Sequence, residues 1–268
     1  MKKIAIIATV FWVVLSCKTN PFTGSSTLNF YPNSQIFPTS FAQYDDFLSQ
    51  NKVVKGTADA QMITNVGKKI AAAAQKYLAS VGHADYLDDY AWEYNLVQDE
   101  TVNAWCMPGG KIVFYTGILP IAQNETGIAV VMGHEVAHAL ADHGAQRMSA
   151  STLQQVGAVA GNVAIKDEET LSLFNTAYAA GTQVGVMLPF SRSHETEADK
   201  IGLTLMAIAG YNPDEAAELW KRMKAAGGGS TPEFLSTHPS HDTRIANLTA
   251  WAPEAKAEAK KFGVTSFK

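Results

Sequence analysis

The sequence has few cysteines, no excess of basic residues and few long apolar runs. Its two cysteines, Cys17 and Cys106, offer no disulfide if Cys17 is acylated, and Cys106 is expected to be a small core residue. With 25 acidic residues against 21 lysines and arginines, the formal charge is -4, which argues against nucleic acid as a partner. No glycine cluster of the dinucleotide-binding type is present. Beyond the N-terminal residues, no apolar stretch reaches the length of a membrane span.

The N-terminal residues are typical of a secretory signal. Lys2 and Lys3 precede the apolar run 4–15, and Ser16-Cys17 resembles a lipoprotein processing site. We therefore expect a signal peptide over residues 1–16, lipidation of Cys17, and an extended arm over residues 17–38 that leads from a lipid anchor in the membrane. Residues 39–268 are expected to form one globular domain.

The pentapeptide His134-Glu135-Val136-Ala137-His138 lies in an apolar stretch with helical character. A spacing of four places both imidazoles on one face of a helix, one turn apart, where they can bind one metal ion. Glu135 between them is aimed at water on the open side of that ion, so it is expected to be a base and not a ligand. This is the geometry of zinc peptidases.

A second segment supplies the third ligand. Glu195 and Asp199 are also four residues apart and share a face of a predicted helix, so Glu195 is expected to complete the metal site. Asp199, one turn further on, can accept a hydrogen bond from the ring N–H of a bound histidine, with His134 as the first candidate. Glu197 points to the opposite side and is expected to be solvated, and His194 is rotated away from the site.

These segments resemble a known family. HEVAHALADHG, LPFSRSHETEADKIGL and STHPSHDTRI are similar, in the same order, to the metallopeptidase family that includes HtpX and the CAAX prenyl proteases, in its soluble bacterial lipoprotein branch. The resemblance runs from about Leu28 to Leu248. It implies a gluzincin with one zinc ion per chain, held by ligands at His134, His138 and Glu195, and with Glu135 as the catalytic base.

The resemblance also brings His238 to the site. It implies that this histidine either stabilises the oxyanion as a hydrogen-bond donor or occupies the open zinc position as a latch, a ligand that substrate must displace. The alternative is a structural loop histidine, because His-Pro is also a sequence that precedes helices. Of the remaining histidines, His143, His83 and His241 are expected to be structural or solvated.

The family pattern also implies how substrate is bound. Asn103 and Ala104 precede a hairpin turn, and a strand of this kind lies along the cleft of gluzincins, where it binds extended or unfolded polypeptide by main-chain hydrogen bonds. The implied function is a zinc-dependent endopeptidase acting on unfolded or misassembled cell-envelope proteins. The implied location is the periplasmic face of the outer membrane, because Lys18 is not the aspartate of inner-membrane lipoproteins.

Two other functions remain open. The chain could be a latent protease that acts mainly as a chaperone or scaffold in outer-membrane assembly, although an intact Glu135 favours chemistry. A deformylase-type hydrolase uses the same pentapeptide, but it needs a cysteine ligand, and Cys106 lacks the expected context.

Periodicity predicts an α+β fold, a mainly helical zincin-type (gluzincin) domain with a small antiparallel sheet or hairpin before the zinc helix. A strand is expected over 90–97, followed by a hairpin of 101–106 with 111–116. The predicted helices are 58–79, 125–148, 152–165, 168–180, 194–209, 213–225, 241–251 and 254–262.

Overall fold

The computed structural model describes residues 17–226, 233–238 and 242–268. These residues form a mainly helical α+β domain, which confirms the predicted fold class. The predicted signal peptide, residues 1–16, and His241 lie outside the described residues. Within the described part of the chain, every helix is too short or too polar to cross a membrane.

Two small sheets precede the metal-binding helices. Strands β1 (Cys17–Thr19) and β2 (Ser26–Leu28) form an antiparallel pair. The second sheet contains β3 (Val53–Val54), β4 (Glu93–Val97), β5 (Ala104–Met107) and β6 (Lys111–Tyr115), in the order β3-β4-β6-β5. The predicted hairpin is present as β5 and β6, but β4 runs parallel to β6, so this sheet is mixed and not wholly antiparallel. Strand β5 lies at an edge of the sheet.

The helices account for most of the fold. In chain order they are α1 (Asn33–Gln50), α2 (Ala58–Ser80), α3 (Leu119–Ala122), α4 (Glu125–Leu140), α5 (His143–Ala164), α6 (Glu168–Thr182), α7 (Leu188–Ile208), α8 (Glu215–Ala226), α9 (Glu233–Thr237) and α10 (Asp242–Lys261). A short 3-10 turn precedes α3, and a π-helical turn, Gln183–Met187, joins α6 to α7.

The predicted extended arm over residues 17–38 is wrong in its second part, where α1 begins at Asn33. Pro38 lies inside this helix, and the buried side chains of Phe37 and Tyr44 hold the helix against the sheet and the core. Burial of these aromatic rings outweighs the helix-breaking tendency of the proline.

The predicted helix over residues 125–148 is two helices, because the chain turns at Asp142. Asp142 has a left-handed backbone (φ 56°), which stops α4 and starts α5 in a new direction. At its other end, α4 begins where the side chain of Asn124 accepts hydrogen bonds from the backbone N–H groups of Thr126 and Gly127. The pentapeptide His134–His138 therefore occupies the last two turns of a well-capped helix.

Helix α4 lies at the centre of the domain, and every residue from Gly127 to Leu140 is buried. It packs against α7 at close range through two glycines. A methyl group added to Gly133 would lie 2.8 Å from the carbonyl oxygen of Gly202, and one on Gly202 would lie 2.8 Å from the backbone nitrogen of His134. Only glycine at both positions allows this backbone approach.

Two further helix boundaries differ from the predicted ones. Helix α7 begins at Leu188 and so carries the ligand segment in its interior rather than at its start. The predicted C-terminal helix pair is a single helix, α10, with Pro253 on its exposed side, because the buried Ala252 and Ala255 hold both halves against the same core. Burial again overrides the local signal of a proline.

Candidate metal centre

The two histidines of α4 lie side by side. Their Nε2 atoms are 3.1 Å apart, and the rings meet edge to face with centroids 4.7 Å apart. Both side chains are buried, with 3% of His134 and 7% of His138 exposed. The predicted one-turn spacing on a common face is therefore present.

Helix α7 brings Glu195 to both histidines. Its Oε2 is 3.3 Å from the Nε2 of His134, and its Oε1 is 3.3 Å from the Nε2 of His138. Helix α9 ends next to this group, and the Nδ1 of His238 lies 2.9 Å from Glu195 Oε2 and 3.1 Å from His134 Nε2. The chain thus brings all four of these predicted site residues together.

The four side chains fit a zinc ion. One ligand atom from each of His134, His138, Glu195 and His238 lies within 4.8 Å of the others. Ligand atoms about 2.0–2.2 Å from a tetrahedral zinc are about 3.3–3.6 Å apart, close to the 2.9–3.3 Å found here. Three imidazoles and one carboxylate are donors that zinc accepts, so both the geometry and the chemistry of the site suit this metal.

The carboxylate of Glu135 lies next to the cluster, beside His238. Its Oε1 is buried and has no hydrogen-bond partner among the described residues, and the Nε2 of His238 is 3.4 Å away. Burial raises the pKa of this carboxyl above its ordinary value. A buried carboxylate oxygen with no partner is a suitable proton acceptor for a molecule that enters the site.

The charges of the cluster are strongly coupled. Burial and the charge of Arg244 lower the pKa of His134, but hydrogen bonds to Asp199 and Glu195 outweigh them and raise it to about 9. Burial dominates at His138 and lowers its pKa well below the ordinary value. Burial alone would raise the pKa of Glu195, but hydrogen bonds from the three histidines keep it far below its usual range.

Asp199 contacts His134 as predicted, with its Oδ1 3.0 Å from the ring Nδ1. Arg244 on α10, which sequence reasoning did not single out, holds this carboxylate with two hydrogen bonds, Nε to Oδ2 at 2.7 Å and Nη2 to Oδ1 at 2.6 Å. The guanidinium also lies 3.5 Å from the centroid of the Trp220 ring and 3.3 Å from Glu195 Oε2. Its only sequence signal is its place in the last of the family-like segments.

Glu197 is only partly exposed and is held by hydrogen bonds within the fold, which corrects the sequence expectation of a solvated acid. Its Oε2 lies 3.0 Å from the Nε2 of His143, and its Oε1 accepts hydrogen bonds from Asn20 and Thr23. His143 in turn lies against a ligand, with its Nδ1 2.8 Å from the Nδ1 of His138. A turn after Asp142 and a loop from the N-terminal sheet create these contacts, and neither is visible in the helical periodicity.

The other predicted residues lie in or beside strands β1 and β5. Ala104 is buried on β5, and the side-chain oxygen of Asn103 accepts a hydrogen bond from its backbone N–H. Cys106 is partly buried with a free thiol, and burial raises its pKa well above the ordinary value, so it is not a ready metal ligand. Lipidation of Cys17, which lies in β1, stays a prediction.

Residues 64–252 match the model of peptidase family M48. The chain belongs to this family. The expected metallopeptidase class is thereby confirmed, and the predicted gluzincin resemblance holds at the level of the family.

Several relatives carry the name mitochondrial metalloendopeptidase OMA1. The protein from Saccharomyces cerevisiae is 39% identical over 202 residues, which is 72% of this chain and 56% of the relative. The one from Schizosaccharomyces pombe is 39% identical over 174 residues, or 64% of this chain and 50% of the relative. The β-barrel assembly-enhancing protease of Escherichia coli is 28% identical over 62% of this chain and 35% of its own length. The chain thus spans about half the length of the first two.

These comparisons correct two expectations. The predicted place on the periplasmic face of the outer membrane is wrong, because the relatives with 39% identity are named as mitochondrial proteins. The bacterial lipoprotein branch likewise receives no support, since the β-barrel assembly-enhancing protease is the more distant match at 28% identity. The family assignment does not depend on either point, because the match covers residues 64–252.

Proposed function

We propose that this chain is a zinc-dependent endopeptidase that hydrolyses peptide bonds in extended or unfolded polypeptides. The observation that carries the proposal is the cluster of His134, His138 and Glu195, with the unpartnered Oε1 of Glu135 beside it. A structural metal site has no need of a buried base, whereas a hydrolytic site does. Membership of peptidase family M48 supports the same conclusion.

His134, His138 and Glu195 would hold the zinc ion. When bound, zinc would supply Lewis-acid polarisation of the scissile carbonyl and would lower the pKa of water at the site. Glu135 takes the proton from the attacking water, and its raised pKa suits it to hold that proton and pass it to the leaving amine. Asp199 and Arg244 fix the ring of His134 during these steps.

Strand β5 is the proposed substrate-binding strand. It lies at the edge of the sheet, pairs with β6 on one side only, and includes Ala104, with Asn103 immediately before it. An edge strand can bind an extended peptide through main-chain hydrogen bonds, which read the backbone and not the sequence. This mode of binding supports unfolded proteins as the substrate class.

His238 is the proposed latch. Its Nδ1 lies among the ligand atoms of the cluster, and its Nε2 faces the base Glu135. In this position the imidazole occupies the side from which water and substrate must approach, so the resting enzyme would have low activity. The same position favours the second candidate function, a latent protease that acts mainly as a chaperone or scaffold.

The decisive experiment compares casein degradation by the wild-type protein and Glu135→Gln at matched zinc content. We expect Glu135→Gln to lose proteolysis by a factor of about 10²–10⁴ while it retains zinc, because only the base is removed. Equal turnover by the two proteins contradicts the proposed mechanism. Chaperone activity in both proteins without proteolysis in either favours the second candidate.

His238→Ala separates the latch from the oxyanion donor by the sign of its effect. Removal of a latch opens a position beside Glu135 and raises basal casein hydrolysis. Removal of an oxyanion donor lowers turnover by roughly a hundredfold or more with zinc still bound. Unchanged hydrolysis assigns His238 to a structural role.

A further inference from the structure

We propose that Glu197, acting through His143, is a positioning residue for the metal ligand His138, and that the N-terminal turn fixes its carboxylate. The inference rests on the proposed zinc site and extends it to residues outside the ligand set. It reverses the expectation that Glu197 is a solvated surface acid.

The hydrogen bonds from His138 through His143 to Glu197 run in one direction. The Nε2 of His138 faces the cluster, 3.3 Å from Glu195 Oε1, so a metal bound there leaves the ring proton on Nδ1. Among the described residues, the acceptor placed for that proton is the Nδ1 of His143, 2.8 Å away. His143 must then carry its own proton on Nε2, which donates to Glu197 Oε2 at 3.0 Å. With a metal on His138 Nε2, one assignment of ring protons gives both the His138–His143 and the His143–Glu197 contact a donor and an acceptor.

Packing around His143 restricts the rotation of its ring. The side chain is fully buried, and its ring stacks on that of His194, with centroids 4.0 Å apart and planes inclined by 9°. His194 is itself held by its Nε2 contact, 3.0 Å, with Gln146. The ring of His143 therefore has little freedom to turn, which is what a group that orients a ligand requires.

The N-terminal turn between β1 and β2 holds the carboxylate of Glu197 by hydrogen bonds. Asn20 Nδ2 and Thr23 Oγ1 donate to Glu197 Oε1 at 2.7 and 2.9 Å. The side-chain oxygen of Asn20 also accepts from the backbone N–H of Phe22, so one buried side chain both shapes the turn and holds the carboxylate. Glu197 thus has a donor for each of its oxygens.

The test measures the zinc dissociation constant by competition with a chelating dye. We expect Glu197→Ala to weaken zinc binding by about 10- to 100-fold, the usual loss when the outer partner of a ligand is removed. Asn20→Ala with Thr23→Val should weaken it by a smaller factor, because Glu197 remains. The matched control is Glu218→Ala, an exposed acid on α8 that pairs with Lys221, and it should bind zinc as wild type does.

Two further measurements separate positioning from a structural role. Glu197→Gln keeps an oxygen that can accept from His143 Nε2–H, so it should recover much of the zinc affinity that Glu197→Ala loses. Histidine ¹⁵N NMR should show the Nε2–H form of His143 in the wild type and a mixture of forms in Glu197→Ala. Unaltered zinc affinity or unaltered NMR signals in Glu197→Ala, or a Glu197→Gln variant that binds zinc as weakly as Glu197→Ala, would each overturn the proposal. A wild-type protein that binds no zinc contradicts the proposed function instead.

Discussion

The two histidines of α4, both proposed zinc ligands, have very different surroundings. His134 contacts a buried carboxylate directly, and Asp199 is held by the buried Arg244, which packs over Trp220. His138 contacts a second histidine, and the carboxylate behind it is partly exposed, with 17% of the Glu197 side chain accessible. One ligand is fixed from the core, and the other from a surface turn.

An imidazole that binds a metal needs an acceptor for its second ring N–H. In this fold the acceptor is a carboxylate for His134 and a second histidine for His138. A buried ion pair such as Asp199–Arg244 is costly to break, because one charge is left without compensation. A partly exposed acid is hydrated when its partner leaves. We therefore expect the His134 side to be more sensitive to substitution, both in stability and in metal binding.

The largest effect is expected from Arg244→Met. Loss of the guanidinium breaks the buried ion pair with Asp199 and leaves His134, whose pKa is about 9, as the cationic partner of Asp199 and Glu195. We expect a cost of about 3 kcal/mol in the free energy of unfolding, the lower end of the range for a broken buried pair. Urea denaturation of the zinc-free protein measures this cost. Arg222→Met is the control, because that arginine is 25% exposed in its pair with Glu215 and should cost about 1 kcal/mol or less. Equal losses would remove the contrast between core and surface support.

The next effect is expected from Asp199→Asn. The amide keeps the shape of the side chain but carries no negative charge beside the Nδ1 of His134. Zinc affinity and activity should therefore fall by about 10- to 100-fold. Dye competition and casein hydrolysis measure the two quantities. A variant indistinguishable from wild type would remove Asp199 from the site.

A double-mutant cycle tests whether Asp199 and Glu197 affect zinc binding independently. Asp199→Asn and Glu197→Ala act on different ligands, so their effects on the free energy of zinc binding should add within about 0.5 kcal/mol. The cycle needs four dissociation constants measured under one buffer condition. A larger coupling energy would mean that the two acids support the site as one network.

The smallest effect is expected away from both histidines, at the first residue of α4. Glu125 accepts hydrogen bonds from Tyr211, Lys69 and Lys268, which lower its pKa to about 2. A lowered folded-state pKa stabilises the protein above the unfolded value near 4.3, and this gain is lost as the pH falls towards 2. Glu125→Gln should therefore destabilise at pH 6 by about 0.5 kcal/mol, since the group is largely hydrated, and hardly at all at pH 2.

Thermal unfolding at the two pH values checks this prediction, with Glu218→Gln as the exposed control. A loss that is larger at pH 2 than at pH 6 would reverse the sign and contradict the role given to the Glu125 contacts.

The sequence predicts the two sides of the site unequally. His134, His138, Glu195 and Asp199 follow helical spacing, and such spacing places side chains on one face before any tertiary contact is known. Glu197, His143 and Arg244 reach the site only through the turn at Asp142, the N-terminal loop and the packing of α10. Those contacts join residues far apart in the chain, and no local period contains them.

The fold follows the same division. The hairpin, α2 and the α+β class agree with local patterns, whereas α1 and α10 continue through Pro38 and Pro253 because buried residues on both sides of each proline hold them. The parallel pairing of β4 with β6 could not be derived from alternation, which is the same for parallel and antiparallel neighbours.

The approach of Gly133 to Gly202 has a consequence for how this sequence can evolve. A single methyl group at either position forces α4 and α7 apart, and these two helices carry the ligands His134 and Glu195. A larger residue at one of these positions cannot be accommodated by a smaller residue at the other, because both are already glycine. Two positions outside the proposed zinc site thus each require glycine, and the spacing between His134 and Glu195 depends on both of them.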